Sequence, residues 1–91
     1  MSRKDQRKLD ADRRQRLKPL LDAVKKAEAA VEKYHQQQRE LEEKLADPEI
    51  YSDDNKPQLK QLLSQKSQVD AALEQAELDW MTAEENLQQQ E

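Results

Sequence analysis

Apolar residues return along this chain in alternating steps of three and four. The first run is Leu17, Leu20, Val24, Ala27, Val31, Tyr34, Gln38, Leu41 and Leu45; the second is Leu59, Leu62, Lys66, Val69, Leu73, Ala76, Trp80, Ala83 and Leu87. Each run has a single polar member, Gln38 in the first and Lys66 in the second. A repeat of about 3.5 residues gives a helix one narrow apolar stripe, which requires a partner stripe and supercoils around it. Each run covers 29 residues, roughly 43 Å at the helical rise of about 1.5 Å per residue. Two matched rods are expected.

Between them lies "ADPEIYSDDNKP", residues 46–57. Pro48 cannot continue a helix and pushes Asp47 toward extended backbone, so the first rod ends there. Pro57 suits the first turn of the second rod, where its missing N–H costs nothing. Asn55 or Asp54 can supply the N-cap. Ile50 and Tyr51 are apolar inside a polar corner; they either fold back over the open end of the seam or form an exposed docking tip. Two seams of equal length joined by so short a corner meet most simply as an antiparallel helical hairpin.

Antiparallel pairing leaves two registers. In one, facing residue numbers total 107, which sets Trp80 against Ala27, Leu73 against Tyr34 and Leu20 against Leu87; in the other they total 100. The first is preferred, because it puts the indole opposite the smallest seam residue. Gln38 and Lys66 face each other in neither register. Their stems can pack while their heads reach water, and their use is to penalise wrong registers or oligomers.

Composition agrees with an all-α chain. Of 91 residues, 40% are charged and 34% apolar, with one Trp, two Tyr, no Phe, no Gly and no Cys. That supply of large apolar side chains cannot fill a broad globular core. Absence of cysteine excludes disulfides and thiolate zinc sites and suits a reducing cytoplasm, the expected location. No secretory h-region and no long apolar span are present. The thin seam predicts marginal stability, aided by surface pairs such as Glu40 with Lys44.

Candidate chemistry is sparse. A two-helix rod offers no water-poor concavity in which a nucleophile, a base and an orienting group could converge. His35 stands alone at the edge of the seam, and the many acids form a solvated face. No glycine-rich phosphate loop is possible. The expectation is a non-enzymatic chain with no catalytic residue, no metal site and no cofactor of its own.

Charge is uneven. Residues 1–18 carry a net +5 and the remainder a net −9, within a total of −4. On a helix, Arg3, Lys4, Arg7, Lys8, Arg14 and Lys18 fall within an arc of roughly 140° that contains no acid. Such a stripe can follow a phosphate backbone by releasing counterions; a solvated connector is the alternative. Pro19 is expected to kink or restart the helix, setting the arm (1–18) at its own angle to the hairpin (19–91, with helices near 19–46 and 57–89 around a corner at 47–57).

"RKDQRKLDADRRQRLKPLLDAVKKAEAAVEKY", "LEEKLADPEIYSDD" and "AELDWMTAEENL" together resemble the C-terminal coiled-coil domain of the ABC-F ATPases, of the bacterial YheS and Uup type. The "L-x-DP-x-x-Y" corner and the late Trp are the most specific features. The resemblance implies two ATP-binding cassettes upstream, with ATP and Mg²⁺ belonging to that parent chain, action on translating ribosomes, and DNA binding by the hairpin of the Uup type. The acidity of the hairpin confines the carry-over to the stretch from Arg3 to Lys18. The functional expectation is an accessory domain that contacts ribosome, RNA or DNA electrostatically through its basic arm. The alternative is a protein-interaction module that forms a homodimer or docks on and regulates the parent ATPase core. No membrane partner is expected.

Overall fold

The computed structural model describes residues 2–90; Met1 and Glu91, the outer ends of the expected arm and hairpin, lie outside the described residues. Helix α1 runs Arg3–Ala46 and helix α2 runs Lys56–Gln90, joined by two short 3₁₀ turns at Pro48–Tyr51 and Asp53–Asn55. Among the described residues there is no strand. The molecule is a rod of 77 × 16 × 14 Å. The two helices pack on each other as an antiparallel hairpin, the architecture the paired stripes require.

Buried residues trace the seam: Val24, Ala27 and Leu41 from α1, Leu73, Ala76 and Ala83 from α2. Three of these six are alanine, and among the described residues no side chain is enclosed completely. With only two helices, every seam residue keeps an outer flank in water, so burial stabilises the rod weakly.

Register follows from contacts across the seam. The Gln38 amide donates to Asp70 Oδ1 at 2.8 Å, and His35 Nε2 lies 3.8 Å from Glu77 Oε1. These paired numbers total 108 and 112, near the expected 107 and away from 100. Trp80 borders the flank of the seam. It shares one groove with Glu28, Val31, Glu32, His35 and Arg39, while Ala27 lines another with Ala23, Ala30, Ala76, Asp79 and Ala83. The indole remains 37% exposed. Alanines meeting on both helices leave too little space between them for an indole, which turns out along the flank.

Helix α1 does not restart at Pro19, which sits inside it. The proline ring removes the N–H that would bond to Gln15, and the helix continues through that one lost bond. Its start is capped by Ser2, whose Oγ accepts from the Asp5 N–H at 3.2 Å. Glu40, expected to pair with Lys44, instead accepts a bond from the Gln36 amide at 3.2 Å.

The corner is built by local hydrogen bonds. Asp47 is extended (φ −72°, ψ 120°) and ends α1, while its Oδ1 accepts from the Glu49 N–H at 3.0 Å. The Tyr51 hydroxyl donates to the Leu45 carbonyl at 2.7 Å, satisfying one of the acceptors that a helix end leaves open. The Asn55 side-chain N–H donates to the Glu49 carbonyl at 2.9 Å and to Ser52 Oγ at 3.2 Å. Ile50 and Tyr51 differ in burial. Ile50 is half-buried and lines a groove with Leu62, whereas Tyr51 is 59% exposed.

Candidate nucleic-acid interface

Helix α1 is nine residues longer than α2, and the register makes the difference fall at one end. With Gln38 beside Asp70, Gln90 lies level with about residue 18, so roughly the first fourteen residues of α1 project beyond α2 as a single helix. At about 1.5 Å per residue this projection is about 21 Å long. Exposure reports the same boundary: residues 2–16 are exposed apart from Ala11, and half-burial starts at Leu17 and Leu20. The pattern explains why the seam stops. Continuing its steps of three and four back from Leu17 reaches Arg13, Asp10, Gln6 and Arg3, which offer an apolar partner nothing.

Arg3, Lys4, Arg7, Lys8, Arg14 and Lys18 all belong to this one continuous helix, and all are exposed. Helical geometry therefore brings the six onto one side. Among the described residues none of the six is held in an ion pair. The acids of the segment lie off the stripe, and Asp10 accepts a bond from the Gln6 amide at 3.1 Å. Arg13 and Arg16 leave the stripe for the other side of the helix, beside Leu9.

In the hairpin itself the main polar constellation joins Gln38, Lys66 and Asp70. Lys66 Nζ donates to Asp70 Oδ2 at 2.8 Å, and Gln38 donates to the other oxygen. The two polar seam positions thus meet through a third residue, which Lys66 reaches one helical turn along. The Lys66 ammonium, with the Gln38 amide second, holds the Asp70 carboxyl below its ordinary range. The hydrogen bond to Asp70 raises Lys66 in turn. Their side chains remain 33% and 41% exposed, so water screens the pair. His35, half-exposed beside Glu77, has no second ligating neighbour: among the described residues no cluster of His, Cys, Asp or Glu could hold a metal ion. No described helix is long and apolar enough to cross a membrane.

Residues 1–85 match the family described as the ABC transporter C-terminal domain. The chain is 35% identical over 88 residues to "Probable ATP-binding protein YheS" of Escherichia coli K12, and equally to the proteins of that name from strains O6:H1 and O157:H7. Those alignments cover 97% of this chain and 14% of each relative, so the chain spans about one seventh of their length; they fall in the C-terminal region of YheS, an ABC-F protein. No solved structure matches. A helical hairpin with this corner, matched from its first residue to beyond Ala83, belongs to the ABC transporter C-terminal domain family and is a C-terminal domain of an ABC-type ATP-binding protein.

Proposed function

We propose that this hairpin is the accessory domain through which an ABC-F ATP-binding protein touches nucleic acid, free or within the ribosome, by the phosphate backbone. The contact surface is the stripe Arg3, Lys4, Arg7, Lys8, Arg14 and Lys18. One observation carries the reading: five of these cations, Arg3, Lys4, Arg7, Lys8 and Arg14, occupy the stretch of helix that outruns its partner by about 21 Å, where no second helix blocks approach, and exposed Lys18 stands at its base. The acidic rod behind them repels phosphate and serves as a spacer. Binding by counterion release is sequence-independent, with log K falling by about 0.9 per neutralised phosphate for each tenfold rise in salt on duplex DNA.

The test is a fluorescence-anisotropy titration of duplex DNA and of structured RNA at several salt concentrations. The combined variant Arg3→Gln, Arg7→Gln, Arg14→Gln and Lys18→Gln is expected to weaken binding for all sequences and to lower the salt slope by about one unit per lost contact. Unchanged affinity and slope in that variant would rule out the stripe.

A further inference from the structure

The arm has a second face, opposite the six-cation stripe. At about 100° per residue, Leu9, Arg13 and Arg16 lie within an arc of about 60°, on the side where the seam continues after α2 has ended. All three are exposed, Leu9 by 51%. On the hairpin, Trp80, Met81, Glu84, Glu85 and Gln88 line an open groove along α2. Its upstream end is apolar, with Trp80 37% and Met81 51% exposed, its middle is acidic at Glu84 and Glu85, and it ends at Gln88.

We propose that the arm of one copy seats in this groove on a second copy, and that the exchange is reciprocal: Leu9 against Trp80 and Met81, Arg13 between Glu84 and Glu85, Arg16 beside Gln88. The spacing supports the fit. Leu9, Arg13 and Arg16 step by four and three, as do Met81, Glu85 and Gln88, so two helices running parallel keep all three contacts in phase. Symmetry supports it as well. Because α1 and α2 are antiparallel within a chain, an arm parallel to the partner's α2 sets the two α1 helices antiparallel. A two-fold axis then makes the second contact whenever it makes the first. Charge favours this arrangement over a side-by-side one, since it brings Arg13 and Arg16 against Glu84 and Glu85 instead of like against like. The arm also gains what it lacks, because an isolated helix of about fourteen residues is marginal in water without a partner. The six-cation stripe faces away from the groove, which leaves phosphate binding independent of the dimer.

Sedimentation of the 91-residue chain over a concentration series, at low and high salt, reads the proposal directly. A dimer that weakens with salt is expected. Arg13→Glu with Arg16→Glu, and separately Glu84→Arg with Glu85→Arg, should each weaken it by about tenfold or more while circular dichroism keeps its helical signal. An equimolar mixture of the two variants should dimerise again, since the altered arm then meets the altered groove and the native arm meets the native groove. If the second pair loses helix, Leu9→Gln and Met81→Gln should each weaken the dimer instead. A monomer at every concentration, a dimer indifferent to these changes, or a mixture no tighter than its components would overturn the proposal. The four-residue Gln variant of the stripe should dimerise like the parent chain, which separates failure here from failure of the nucleic-acid reading.

Discussion

Gln38 and Asp70 meet across the seam at 2.8 Å, the amide of one helix donating to a carboxylate of the other. Lys66 holds the second oxygen from one turn away on α2. A slip of one heptad would leave the carboxylate without its partner on α1, so the trio penalises wrong registers more than it stabilises the right one.

Replacing Asp70 with Asn should therefore lower thermal stability at neutral pH and broaden the distribution of registers, read by disulfide trapping between cysteines introduced at Leu20 and Leu87. The carboxyl titrates lower in the folded chain than unfolded. Its contribution is present above the ordinary value of 3.8 and is lost as pH falls through the lower folded value. The gap in melting temperature between the chain and Asp70→Asn should close in that acid window. A gap that persists well below it would refute the assignment.

Tyr51→Phe deletes the donor to the Leu45 carbonyl and little else, because the ring is mostly exposed. The expected loss is about 0.5–1.5 kcal/mol by chemical denaturation. Faster amide exchange at the corner should accompany it, while the distal seam stays unaffected.

Pro19→Ala restores a backbone donor inside α1 where the helix leaves the cover of α2. Intrinsic propensity separates the two residues by about 3 kcal/mol, so helicity of the arm should rise and amide exchange at residues 15–19 should slow. No change in either would mean that the turn is already held by contacts other than its own hydrogen bonds.

Ala76 is 4% exposed and Leu73 is 7% exposed, yet their substitutions should act by opposite mechanisms. Leu73→Ala removes apolar contact and should cost about 2–3 kcal/mol, the low end for a leucine because the seam is open on one flank. Ala76→Leu should cost about 1–3 kcal/mol by forcing the helices apart where alanines meet. Denaturant melts of both variants decide between them and a loosely packed seam.

The sequence by itself determined the two rods, the place of the reversal and the end of the seam. Each depends on local properties: a 3.5-residue repeat from Leu17 to Leu45 and from Leu59 to Leu87, prolines at 48 and 57, and polar residues where the stripe would have continued. The corner motif was legible as a pattern, but its reason appeared only when Tyr51 was found on the Leu45 carbonyl six residues back. Tertiary structure alone decided which flank Trp80 takes, because the room between facing alanines depends on both helices at once. It also decided that Asp70, an ordinary acid in a chain full of acids, joins the two polar seam positions, and that Pro19 does not restart the helix. The candidate interface divides in the same way. Helical spacing placed six cations on one side, while the length of bare helix that presents them follows from the register, a property of two segments held together by burial.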